Sequence, residues 1–258
     1  MNHYQHPIVA ALFVLLAGSA HAAQPLVTDD TGTQGQGGKQ VEVSHVDAQA
    51  RLGGDTTRTR TLPLVFTIGV SDTLDLYVGA TPTDIAAGTT SVTGWGNTAL
   101  GAKWRFLENE ASRTSLALKP EVRLPVGASQ EADGLGTGAT SYSLALILTQ
   151  ETDFGAVHVN LGGASDRYSD ARPTARTLRM AVAPVWNITD QWRVALEYSA
   201  VQVTVDSQST TTQLVQLGAI YSPSKDLDLA MGLMRSADGT ASPTTTTTTT
   251  LGLTWRFR

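Results

Sequence analysis

From residue 40 onwards, apolar and polar side chains alternate with period two, the spacing of strands with one face in an apolar phase and the other in a polar one. Twelve strands are predicted. The first, 40–48, sets Val41, Val43 and His45 on one face; the second, 62–70, sets Leu62, Leu64, Phe66, Ile68 and Val70. The third, 74–80, presents Leu74, Leu76 and Val78. In the fourth, 98–106, Leu100, Ala102, Trp104 and Phe106 oppose Gly101, Lys103 and Arg105. The fifth, 116–124, alternates most cleanly, with Leu116, Leu118, Pro120, Val122 and Leu124 against Ala117, Lys119, Glu121 and Arg123. Seven more runs follow, over 142–148, 157–161, 178–186, 192–198, 215–221, 227–233 and 251–257.

The connections alternate in length. Short ones fall near 71–73, 107–113, 150–153, 189–191 and 222–226; long, polar, Gly-rich ones fall near 49–61, 81–97, 125–141, 162–177, 201–212 and 234–246. An even strand number with short turns at one end and long loops at the other is the pattern of a bacterial outer-membrane barrel, with both termini periplasmic. A β-sandwich has no reason to alternate this way. Strand length agrees: nine residues extend about 30 Å and, tilted by 40–45°, cover about 22 Å of depth, close to the ~25 Å apolar band of such barrels. Trp104, Phe106, Trp186, Trp192, Tyr221, Trp255 and Phe257 all map to the turn ends of their strands and point outward, where an interfacial aromatic girdle belongs. The expected architecture is therefore an all-β, transmembrane, antiparallel barrel of about twelve strands over 39–258 in the bacterial outer membrane, with lipid as its first partner.

The start of the chain fits that compartment. Ile8 to Ala17 is an unbroken apolar run, too short to span a bilayer as a helix, and Ala20-His21-Ala22 fits the small-residue cleavage rule. Residues 1–22 are expected to be a signal peptide, although their first six carry no Lys or Arg. Residues 23–38, Gly- and Asp-rich, would then be a periplasmic segment, either a free tail or a plug folded back into the lumen. In the plug arrangement Asp29 and Asp30 would pair with lumen arginines.

Composition removes several chemistries. The chain of 258 residues has no cysteine, so disulfides, thiolate metal sites and a Cys nucleophile are excluded. A formal net charge of −5 without a basic cluster argues against nucleic-acid binding. The expected inward positions hold Glu42, Asp75, Lys103, Arg105, Lys119, Glu121, Arg123, Arg179, Arg193, Glu197, Asp228 and Arg256. A lipid face would reject a midplane Arg or Lys by about 2–4 kcal/mol, so these charges predict a lumen lining. They form either a wet, slightly anion-preferring channel wall or a network of ion pairs, with Lys103 and Arg105 opposing Glu121. Twelve strands lie between the filled interior of eight and the aqueous channel of sixteen, so any pore is expected to be narrow or easily blocked.

An enzyme reading fares poorly. Lipid-modifying barrels need a hydroxyl within reach of an imidazole on the outer face. Three of the five histidines lie in the leader, His158 points inward, and His45 has threonines and leucines as expected neighbours. No catalytic, cofactor or metal site is predicted.

Several short motifs carry a resemblance. They are the segment 24–33 (QPLVTDDTGT), Gly94-Trp95-Gly96-Asn97, Ala102-Lys103-Trp104-Arg105, the stretch 118–127 (LKPEVRLPVG) and Gly134-Leu135-Gly136-Thr137-Gly138. Together they resemble the bacterial outer-membrane family described as "putative MetA-pathway of phenol degradation", over most of the mature chain. The resemblance implies a channel or transporter for passive passage of aromatic or other apolar small molecules. A lumen rich in charge argues instead for polar or anionic solutes. A pore-less structural or surface-interaction barrel is the alternative, and a lipid hydrolase the remoter one. Family barrels end on the aromatic read by the outer-membrane assembly machinery; here Arg258 follows Phe257, so insertion is expected to survive at reduced efficiency.

Overall fold

The computed structural model describes residues 24–258, so the expected leader and its cleavage point lie outside the described residues. Fifteen strands are described. They are β1 (Lys39–Leu52), β2 (Asp55–Thr61), β3 (Leu64–Ser71), β4 (Leu74–Ala80), β5 (Pro82–Ala87), β6 (Thr90–Trp95), β7 (Ala99–Asn109) and β8 (Thr114–Arg123). There follow a short helix, α1 (Ala128–Ala132), and β9 (Ser141–Thr152), β10 (Gly155–Asp166), β11 (Ala175–Asn187), β12 (Trp192–Val205), β13 (Gln208–Ser224), β14 (Leu227–Asp238) and β15 (Thr245–Phe257). All pairings are antiparallel between neighbours, and β15 closes on β1 in a register running from Lys39↔Phe257 to Arg51↔Thr245.

Fifteen strands make twelve staves because three staves are broken. β2 and β3 are one stave interrupted at Leu62-Pro63, β4 and β5 one interrupted at Thr81, and β6 and β7 one interrupted over 96–98. Pro63 and Pro82 stand at two of the breaks, where a proline withholds its N–H from the ladder. Their carbonyls bridge the gaps instead, accepting from Ser44 N and Leu62 N, each at 3.0 Å.

Two connections expected to be long loops, 49–61 and 81–97, are hairpins of β1–β2 and β5–β6. The Thr-rich runs there suit strands but are polar on both faces, so the alternation that marks a half-buried strand disappears. The 201–212 connection is likewise a hairpin, turning on Asp206 and Ser207 with φ of 48° and 67°. Positive φ at both central residues is the type I′ geometry that matches strand twist.

The two faces separate as the alternation predicts. On β9, Tyr142, Leu144 and Leu146 are exposed on the outside while Ser141, Ile147 and Thr149 are buried within. The aromatics form pairs around the turn end: Trp104 with Phe106 at 5.7 Å between centroids, Trp192 with Tyr221 at 4.8 Å, Trp255 with Phe257 at 4.6 Å and Phe154 with Trp186 at 5.9 Å. Such a belt is the arrangement of amphipathic rings at a membrane–water boundary.

Candidate functional site

The interior is crossed by the chain's own start. Residues 24–38 enter against β13–β15, pass β12, β10 and β9, and leave beside β3 and β4 to begin β1. Each step is held by an inward side chain. Gln216 Nε2 donates to Pro25 O at 2.6 Å; Val27 N and Thr28 N both donate to Glu197 Oε2 at 2.8 Å. Asn160 grips Asp29 twice, Oδ1 accepting from the backbone N–H and Nδ2 donating to the carbonyl, both at 2.8 Å. Thr31 N donates to Thr149 Oγ1, and Gln34 N to the Asp75 carboxylate.

Glycine makes room for this path. A Cβ on Gly232 would lie 2.9 Å from Pro25 Cβ, and one on Gly218 2.7 Å from Pro25 Cγ. A Cβ on Gly69 would strike the Gly35 carbonyl, where Gly37 N donates to Gly69 O and Gly69 N to Gly38 O.

The Asp29 carboxylate sits at the centre, accepting from Lys119 Nζ at 2.5 Å and Lys103 Nζ at 3.3 Å, with Asp30 3.8 Å from the same Lys103. The aspartates thus meet lysines rather than the expected arginines. Of the other charges predicted to face inward, Arg179 reaches Glu197 at 3.0 Å, Arg123 reaches Asp166 at 2.5 Å, and Arg193 and Arg256 converge on Asp228 at 3.2 and 2.8 Å. Glu121 stands opposite Gly101, accepts from Tyr77 Oη at 3.2 Å and lies 3.8 Å from Arg123. Arg105 contacts the Asp72 carbonyl and Glu108 near the turn end. Glu42 and Asp75 are buried, Asp75 against the Gln34 N–H.

The crossing segment divides the interior unequally. Towards the turn end lies a charged vestibule of about 880 Å³, lined by Asp29, Lys103, Lys119, Arg193, Asp228 and Arg256 among others. On the loop side the inward positions are mostly small, apolar or hydroxylic: Val46, Ala48, Ala50, Thr61, Val201, Leu214, Met234 and Thr248 are all buried there. Two further loop contacts narrow the mouth. Glu131 of α1 accepts from Gly138 N at 2.7 Å, from Ser169 N at 3.0 Å and from the Ser169 hydroxyl, with Arg172 at 3.5 Å. Arg172 in turn stacks over Tyr168 at 4.3 Å.

Asn160, Gln216, Thr149 and the inward glycines were absent from the residues singled out by sequence; their signal is an inward parity shared with the charges. His158 is buried with Nδ1 3.0 Å from Thr149 Oγ1, and His45 is exposed opposite Leu251. Among the described residues no cluster of His, Cys, Asp and Glu could hold a metal ion.

A closed antiparallel barrel of twelve staves, apolar outside and polar within, with an aromatic belt at the turn end, defines a transmembrane β-barrel of the bacterial outer membrane. A family model described as "Putative MetA-pathway of phenol degradation" matches residues 28–257, and the chain belongs to that family. Among solved structures it is similar to the COG4313 outer membrane channel from Pseudomonas putida F1, with a TM-score of 0.69 and 15% identity over 88% of this chain and 98% of that one. It is also similar to the translocator domain of the autotransporter NalP from Neisseria meningitidis (TM-score 0.57, 11% identity, 97% and 98% covered). The NanC porin is a third (0.52, 9%, 83% and 98%). No curated protein sequence matches it.

Proposed function

We propose that the barrel is a non-enzymatic outer-membrane channel passing small apolar or aromatic molecules down their gradient, with both termini periplasmic and residues 24–38 as its plug. The observation that carries this reading is the divided interior: on the loop side Val201, Leu214 and Met234 form an uncharged cluster packed against Val27 of the crossing segment, while the charges beyond it are engaged by the plug or by one another. A lining of this kind, uncovered when the segment shifts, accepts an apolar solute without stripping water from unpaired charges. The charge-rich lumen that suggested polar solutes is therefore a mounting for the plug. Passage requires the segment to shift, and its tightest ionic hold is Asp29 between Lys103 and Lys119. We further propose that β15, ending on the outward Trp255 and Phe257, is the strand the assembly machinery reads.

The test is single-channel recording of the refolded chain in a planar lipid bilayer. Asp29→Asn is expected to raise the open fraction several-fold over the parent, and removal of residues 24–34 to give a larger steady conductance. A correctly folded barrel that stays silent in all three forms would overturn the channel reading in favour of a surface-interaction barrel.

A further inference from the structure

Towards the loop end the outer wall turns from apolar to cationic along one row. Arg235, Thr247, Gln49 and Arg58 are successive ladder partners on β14, β15, β1 and β2. Their chain neighbours Met234, Thr248, Ala50 and Thr59 are buried inside, so parity turns all four outward. Four residues nearer the turns, Met231, Leu251 and Leu62 are exposed apolar side chains. The row marks the edge of the hydrocarbon. Counted along the stave from Val70, beside the turn, Arg60 and Arg58 lie ten and twelve residues away. At a 40–45° tilt that is about 24 and 29 Å of depth, against an apolar band of about 25 Å.

Charge on this part of the rim is unbalanced. Asp47 accepts from Arg58 Nε at 2.9 Å and lies 3.5 Å from Arg60, which reaches Asp84 at 3.6 Å. Arg51, two residues past Gln49, and Arg235 are exposed and have no carboxylate partner among the described residues. Asp55, at the tip of the β1–β2 hairpin, shares the inward parity of Thr57 and Thr59. Four arginines against two aspartates leave an excess of two positive charges, on a chain whose sum is −5. Arg235 and Arg51 stand two ladder steps and two residues apart, about 12 Å between Cα atoms, with Thr247 and Gln49 between them. At the same level β12 and β13 present neutral Gln202 and Gln213, and β11 a single Arg176.

We propose that this patch binds the bisphosphorylated glycolipid of the outer leaflet, Arg235 taking one phosphate and Arg51 the other. A guanidinium offers paired donors that match phosphate oxygens, and the attraction strengthens at the edge of hydrocarbon, where water screens it less. Thr247 and Gln49 lie between the two arginines, placed to hydrogen-bond the sugars that link the phosphates. The acyl chains then run over Met231, Leu251 and Leu62 towards the turn end. The proposal goes beyond the channel reading and takes from it only the periplasmic termini, which turn the loop end to the outer leaflet.

The test is native mass spectrometry of the refolded chain in detergent, titrated with lipid A, with monophosphoryl lipid A and phosphatidylglycerol as competitors. The parent is expected to retain lipid A several-fold more tightly than either competitor. Arg51→Gln/Arg235→Gln should fall to the level of phosphatidylglycerol, and Arg51→Lys/Arg235→Lys should recover part of the loss. Arg176→Gln, at the same height on β11, should bind as the parent does. Retention of lipid A no stronger than that of phosphatidylglycerol would overturn the proposal, as would parent-like binding by Arg51→Gln/Arg235→Gln. Folding is read from heat-modifiable mobility, and the two single variants, each expected to lose part of the binding, replace a pair that fails to fold. Bilayer conductance of Arg51→Gln/Arg235→Gln should equal the parent's. A barrel silent in that assay yet selective for lipid A would overturn the channel reading alone.

Discussion

At the scale of the residue, the interior is shaped as much by missing side chains as by charged ones. Gly218 and Gly232 face each other across β13 and β14, and Pro25 rests on them. A branched side chain at Gly232 would enter the space of Pro25 without touching the strand ladder. Gly232→Val is therefore expected to leave barrel assembly intact, judged by heat-modifiable mobility, while raising open probability by loosening the start of the plug. The charged positions show why sequence reading found the lining but not its wiring. Parity alone places Lys103, Lys119 and Glu197 inside, because one face of each strand must meet lipid. Parity carries no information on what crosses the lumen, so the plug's engagement by Asn160 and Gln216 was not legible. Glycine spacing was legible as relief of crowding, and only the structure shows the crowding partner to be the chain's own N-terminal segment.

At the scale of the element, β8 and the α1 loop it leads into each carry a test. Glu121 on β8 is partly buried, accepting the Tyr77 hydroxyl, whereas Glu151 sits exposed at the end of β9. Removing Glu121 takes away the acceptor 3.2 Å from the Tyr77 hydroxyl and the carboxylate 3.8 Å from Arg123, at about 1–3 kcal/mol. Glu121→Ala should therefore lower the melting temperature of the refolded barrel clearly more than Glu151→Ala, and equal shifts would refute an inward β8 carboxylate. In the α1 loop, burial pushes the Glu131 carboxyl up, but the Ser169 hydroxyl and N–H, the Gly138 N–H and Arg172 outweigh it and hold it below the usual range. A carboxyl depressed in the folded state stabilises the loop contact above its unfolded value, near 4.3, and loses that contribution as pH falls through the folded one. Protease nicking within 125–140 should thus be slow at neutral pH and quicken below about pH 4. Glu131→Gln should be cut faster already at pH 7. These elements also mark the limits of periodicity: β2, β5 and β6 went unread because their two faces are equally polar, and α1 because five residues carry no helical repeat.

At the scale of the whole molecule, strand number, closure and the gathering of the short turns at one end were all legible, because each follows from having to satisfy every backbone group inside a membrane. The division of the lumen was not, since it arises from contacts between residues more than a hundred positions apart, such as Thr28 with Glu197. The same division sets charge against apolar packing: paired ions hold the crossing segment on one side, and Val201, Leu214 and Met234 close on its Val27 on the other.

The strands themselves carry a last consequence. β13 runs for 17 residues, about 56 Å of extended chain and about 40 Å of height at the usual tilt, against an apolar band of about 25 Å. Roughly a third of the cylinder must stand clear of hydrocarbon, and the hairpins of β1–β2 and β5–β6 continue that collar with outward Asp47, Arg58, Arg60 and Asp84 joined in one ionic lattice. The barrel is a chimney whose rim stands clear of the hydrocarbon, so water and lipid reach it at different storeys.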